Sequence, residues 1–152
     1  MTSSDVTDGT VDAEEQRRRE RIARWAQRIA LVGLSSNPKR GSNKAFRGLV
    51  AGGYEVFPVN PRGGAEKGHT VYRELSEVPL PIDVVQVFRP AEETPEIARQ
   101  AVAMGAKVLW LQEGIDNEEA RQIAEAAGLE YVSDVCLKMM GIAVGRVPKE
   151  YE

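Results

Sequence analysis

Apolar and polar positions recur with two different periods along this chain, and the switches between them predict its elements. Around residues 13–27, Ile22, Trp25 and Ile29 fall at three- and four-residue spacing behind a charged face, the signature of an amphipathic helix. Glu14 and Glu15 lie near its start and Arg17, Arg18 and Arg19 follow, an order that suits the helix dipole. Residues 28–33 (RIALVG) form an unbroken apolar run into a glycine, as a buried parallel strand does. Residues 42–51 return to helical spacing, with Ala45, Phe46, Leu49 and Val50 on the apolar face. Ser42 is the expected N-cap and Gly52-Gly53 the stop. Residues 54–59 (YEVFPV) read as a second strand in which Pro58 removes one ladder hydrogen bond.

The alternation then repeats. Residues 60–68 (NPRGGAEKG) are a loop by composition, followed by a short extended piece at 69–72 and a turn at 76–81. A third strand is expected at 83–88, a helix at 92–104, a fourth strand at 107–111 and a helix at 117–127 capped by Asn117. A short fifth strand at 129–132 precedes one or two helical turns within 133–141. Strands separated by helices of about ten residues predict an α/β fold, a Rossmann-like, doubly wound parallel five-stranded sheet with helices on both faces. The expected organisation is a disordered tail at 1–12, an N-terminal helix at 13–27 and the Rossmann-like domain at 28–145. Ligands of such sheets sit at the carboxyl ends of the strands, where the strand order reverses. Five segments meet that condition: 33–42, 60–64, 88–90, 112–115 and 133–138.

Composition narrows the classes. A length of 152 residues fits one domain, and 42% apolar with 28% charged residues is the balance of a soluble globular chain. Cys136 is the sole cysteine, which excludes a disulfide framework and a Cys-rich zinc site. No apolar run approaches the ~20 residues that span a bilayer, and residues 1–10 lack the basic start and apolar stretch of a signal peptide. These features lead us to expect a cytoplasmic protein without membrane contact. The net charge of −3 is unevenly spread: between Arg28 and Lys67 seven basic residues face two acids, a local +5 that leaves −8 elsewhere. A basic stretch in an acidic chain fits a small anionic ligand better than a nucleic-acid groove, which needs a wider basic face. The arginines at 17–19 admit an RNA-binding arm, but acids on both sides favour a surface helix.

Candidate chemistry concentrates at two strand ends. After the first strand, Gly33-Leu34-Ser35 leads through Lys39 and Arg40 to Ser42. This is neither G-x-G-x-x-G nor G-x-x-x-x-G-K-[ST], yet glycine, hydroxyls, charge and a helix start together suit a pyrophosphate. After the second strand, dinucleotide folds that take NAD place an acid for the ribose hydroxyls. Here Asn60-Pro61-Arg62-Gly63-Gly64 stands instead, with no acid before Glu66. Arg62, assisted by Lys67, suits a phosphorylated ribose, which means NADP or coenzyme A. No catalytic constellation stands out: His69 is the sole histidine, Cys136 has no neighbouring base, and Glu118 and Glu119 sit at a helix start. Glu113 is the one acid just past the fourth strand, with a ribose, an adenine amino group or a backbone turn as its possible partners.

Five blocks in order carry a family resemblance. They are Gly33-Leu34-Ser35 with Pro38, Lys39 and Ser42; Gly53-Tyr54-x-Val56-x-Pro58-Val59-Asn60-Pro61; Asp83-x-Val85-x-Val87-Phe88-Arg89; Val108-x-Trp110-x-Gln112-x-Gly114-Ile115; and Cys136. Over about Arg28 to Met140 the chain resembles the small stand-alone CoA-binding proteins and is similar to the N-terminal CoA-binding domain of the succinyl-CoA synthetase α-subunit. The resemblance implies that the 33–42 loop (Gly33, Leu34, Ser35, Lys39, Arg40, Ser42) holds CoA phosphates. It implies that Asn60, Pro61 and Arg62 line the nucleotide side, that Phe88, Arg89 and Pro90 lie along the cofactor, and that Gln112, Glu113 and Gly114 close the far side. Asp134 and Cys136 fall near the expected thiol end. The synthetases also need a domain with a phosphorylated histidine and a nucleotide-binding subunit, so synthetase activity from this chain alone is not expected. The leading expectation is non-catalytic binding of CoA or an acyl-CoA, with a protein partner or homodimer as a further possibility. The alternatives are an NADP-binding oxidoreductase or redox sensor, and a protein–protein module that has lost its ligand.

Overall fold

The computed structural model describes residues 12–152. Of the expected tail, residues 1–11 lie outside the described residues, and Asp12 belongs to the helix: its carboxylate accepts the Glu15 N–H at 2.8 Å as the N-cap of α1 (Ala13–Trp25). The arginine run fastens this helix to the fold. Arg18 pairs with Glu15 and Glu130 and donates to the Tyr131 carbonyl, Arg19 pairs with Glu15, and Arg21 pairs with Glu130.

Five parallel strands follow the apolar runs: β1 (Arg28–Val32), β2 (Glu55–Val59), β5 (Val84–Val87), β6 (Val108–Leu111) and β7 (Glu130–Val132), in the order β2-β1-β5-β6-β7. Every residue of β5 and β6 is buried, which explains why these strands read as continuous apolar runs. Crossovers run through α2 (Gly41–Ala51), α3 (Thr94–Ala103) and α4 (Glu118–Ala126), and α5 (Leu137–Ala143) follows β7. One face of the sheet packs Ile29, Leu31 and Trp110 against Ile22, Phe46, Leu49 and Leu137 of α1, α2 and α5. The other packs Ala30, Val85 and Leu109 against Ile97, Ala101 and Ala124 of α3 and α4. The expected doubly wound Rossmann-like architecture is present, and its strand order reverses between β1 and β5.

Two local expectations change. The α2 cap is Arg40, in extended conformation and without a side-chain bond, so Ser42 sits inside the first turn rather than capping it. Its hydroxyl is engaged across the loop, accepting the Ser35 N–H at 2.9 Å. Within the expected 60–68 loop and the piece after it, β3 (Ala65–Glu66) and β4 (His69–Thr70) form an antiparallel hairpin. The chain beyond it returns to the outer edge of β2, where the Tyr72 N–H donates to the Pro58 carbonyl and the Asn60 N–H to the Tyr72 carbonyl. Proline is tolerated in β2 because the strand lies at the edge of the five-stranded sheet.

A candidate ligand cleft at the switch point

A cleft of about 970 Å³ opens where the strand order reverses, between the loops that follow β1, β2 and β5. Its floor depends on Gly33. This residue has φ +98°, and a Cβ there would lie 2.9 Å from the Phe88 carbonyl oxygen and 3.1 Å from Arg89 Cδ. Only glycine lets the two loops meet this closely. The Gly33 and Leu34 N–H groups donate to the Val59 carbonyl at 3.0 and 3.2 Å, and Asn60 Nδ2 donates to the Leu34 carbonyl at 2.6 Å. Asn60 Oδ1 in turn accepts the Arg62 N–H at 2.8 Å, so this one amide sets both the β1 and β2 loops.

The loop after β1 is held from the helix behind it. Asn43, fully buried, donates through Nδ2 to the Ser35 carbonyl at 2.8 Å and to Glu66 at 3.3 Å, and its Oδ1 accepts from Arg47 Nε at 2.9 Å. Arg47 also donates to the Pro38 carbonyl at 2.8 Å. With its carbonyls tied back, the loop presents Ser35, Ser36 and Arg40 to the cleft.

Of the residues singled out by sequence, Gly33, Leu34, Ser35, Arg40, Ser42, Asn60, Pro61, Arg62, Phe88 and Arg89 come together in the lining. Lys39, Pro90, Gln112, Glu113 and Gly114 lie outside it. Lys39 is exposed, with its N–H donated to Asn37 Oδ1, and Pro90 starts the 3-10 turn Ala91–Glu93. The segment after β6 starts two strands away from β1, about 10 Å across the sheet. There Gln112 accepts from the buried Gln86 at 3.3 Å, the Gly114 N–H donates to Asp134 at 2.6 Å, and Glu113 is exposed. Cys136, half-buried at the start of α5, and His69, whose ring packs edge-on against Phe46, are also outside the lining.

The lining residues that sequence reasoning missed come mostly from the hairpin and the return path after it: Glu66, Val71, Arg73, Glu74, Leu75 and Ser76, with Glu93 before α3 and Ile97 and Gln100 within it. Four guanidinium groups and three carboxylates therefore line the cleft. Arg89 is spent on a two-pronged pair with Glu93 at 2.9 and 2.8 Å, which holds the Glu93 carboxyl below its usual range and raises the arginine. Arg40, Arg62 and Arg73 form no ion pair among the described residues, which leaves their charge for a ligand.

A doubly wound sheet with a cleft at its switch point defines the class of open α/β proteins that bind their ligands there. Within that class the chain belongs to the CoA binding domain family, which its residues 27–142 match. It is 38% identical over 118 residues to the uncharacterised protein YneT of Bacillus subtilis, covering 78% of this chain and 87% of that one. It is 28% identical over 87 residues to the α-subunit of an ADP-forming acetate–CoA ligase of Pyrococcus furiosus, 53% of this chain but 19% of the ligase subunit. Among solved structures, a hypothetical protein from Pyrococcus horikoshii superposes with a TM-score of 0.81 at 33% identity, over 91% of this chain and 94% of its own. The family resemblance drawn from the five sequence blocks therefore holds. No helix among the described residues is long and apolar enough to cross a membrane.

Proposed function

We propose that this protein is a non-catalytic, cytoplasmic module that binds coenzyme A or an acyl-CoA in the switch-point cleft and presents it to a protein partner. The observation that carries the reading is the end of β2, where an unpaired arginine, Arg62, lines the cleft in place of a ribose-binding acid. The site fits the ligand. Its volume is at the upper end of the ~300–1,000 Å³ found for small-molecule pockets. The Ser36 N–H, the hydroxyls of Ser35 and Ser36 and the guanidinium of Arg40 would hold the diphosphate, Arg62 the ribose phosphate, and Phe88 would lie along the cofactor. Lys39, Pro90, Gln112, Glu113 and Gly114 receive no contact in this proposal. CoA supplies a thiol that carries acyl groups, and the chain supplies binding and orientation.

A phosphorylated ribose is also what NADP offers, so Arg62 admits an NADP-binding oxidoreductase or redox sensor as a second reading, and the match to the CoA binding domain family is what favours CoA. Titration calorimetry of the whole chain with CoA, acetyl-CoA, NADP and NAD separates the two. Micromolar CoA binding, about −8 kcal/mol, with silent dinucleotides is the expected result. Binding of NADP without CoA would overturn the CoA reading in favour of redox chemistry. In the same assay Arg62→Glu is expected to weaken CoA more than 3′-dephospho-CoA, and equal losses would refute the ribose-phosphate role of Arg62.

A further inference from the structure

Besides Arg62, the lining of the cleft carries an arginine that arrives from beyond the hairpin, Arg73. We propose that Arg73 is a specificity-determining residue that joins Arg62 in a two-guanidinium clamp on the ribose phosphomonoester, and that Gly63 is the gap through which it closes. The proposal rests on the CoA reading above and deepens it.

The backbone places Arg73 firmly. Tyr72 is bridged to Val59 at the end of β2, and the Arg73 N–H donates to Glu77 Oε1 at 3.1 Å. From there the side chain folds back over the turn that carries Arg62. Its Nη1 lies 3.3 Å from the Pro61 carbonyl oxygen, and a Cβ on Gly63 would stand 3.0 Å from both its Cγ and its Nε. Gly63 has φ +66°, so both its conformation and its lack of a side chain suit that contact. One long bond to a carbonyl engages one of five guanidinium donors and leaves the others for a ligand. Arg62 and Arg73 are both exposed in the free protein, line the same cleft, and lack an ion pair among the described residues.

A phosphomonoester carries about −1.5 to −2 charge and three acceptor oxygens, enough for two guanidinium groups at once. A ribose hydroxyl satisfies neither. The clamp therefore discriminates by the presence of the phosphate, because CoA gains charge-assisted hydrogen bonds there that a dephosphorylated ligand does not make.

The test is calorimetry of the full chain and of Arg73→Gln with CoA and 3′-dephospho-CoA, with the thermal midpoint as a folding control. The expected result is a loss of CoA affinity of about 10- to 100-fold with less than about a threefold change for dephospho-CoA. Arg73→Lys, which keeps the charge but not the fork, is expected to fall between wild type and Arg73→Gln. Equal losses for the two ligands would make Arg73 a structural pin of the turn and overturn the clamp, as would no loss for either; both leave the CoA site standing. A wild-type protein that binds neither ligand overturns the functional reading itself, and the clamp with it.

Discussion

Tyr131 shows how single residues set the loops at the carboxyl edge of the sheet. Its ring is buried, and its hydroxyl donates to Asp116 Oδ1 at 2.7 Å while accepting the Asn117 N–H at 3.0 Å. Burial pushes the phenol up to about 12, and the hydrogen bond from that phenol is the main reason the Asp116 carboxyl lies below its ordinary value. A carboxylate depressed in the folded state stabilises above its unfolded pKa of about 3.9 and ceases to do so as pH falls through the folded value. Tyr131→Phe is therefore expected to cost about 1 kcal/mol near neutrality, with the difference from wild type shrinking below about pH 4. Denaturant titrations at neutral and acid pH measure this, and a penalty that stays constant in acid would refute the coupling. At this scale the sequence was a partial guide. Gly33, Asn60 and Arg62 were legible because local chemistry and position at a strand end point to them. Arg73 and Glu66 were not, because the bridge from Val59 to Tyr72 that brings their segment back is a pairing register. No local pattern announces such a register.

Among the elements, those with a strong local signal appear close to where periodicity put them. Asn117 caps α4 as expected, accepting the Ala120 N–H at 2.8 Å. Ser42 is the contrary case, because a contact across the loop outcompetes the local cap. The β3–β4 hairpin escaped detection since strands of two residues have no period to read. The junction of α2 and α5 was equally hidden, for it depends on a side chain after both. Val147, buried, fits between Gly52 and Gly141, where added Cβ atoms would lie 2.7 and 2.6 Å from its Cγ2. Gly141→Ala should raise helix propensity by roughly 1 kcal/mol, yet overpacking typically costs about 1–3 kcal/mol. The net expectation is a lower thermal midpoint, and Val147→Ala in the same chain should recover part of it. A higher midpoint for Gly141→Ala alone would show that Val147 moves aside freely.

For the whole molecule, a chain of net charge −3 is proposed to take a strongly anionic ligand, so the local field of Arg40, Arg62 and Arg73 must prevail over the global one. Raising ionic strength shortens the screening length from ~10 Å at 0.1 M to ~3 Å at 1 M. CoA affinity should therefore fall steadily with salt, and calorimetry at low and high salt that shows no change would mean that the arginines do not set it. A different long-range feature closes the opposite end of the molecule. Arg146 lies over the Tyr54 ring at 3.7 Å and donates to the carbonyls of Ala23, Arg24 and Ala26, while the Tyr54 hydroxyl donates to Ala23 as well. The free carbonyls at the end of α1 thus depend on a residue near the other end of the chain. During synthesis at ~5–20 residues per second, α1 emerges on the order of ten seconds before Arg146 does. For that interval the Ala23, Arg24 and Ala26 carbonyls lack the donors that Arg146 brings, so the last turn of α1 is completed only when nearly the whole chain has been made.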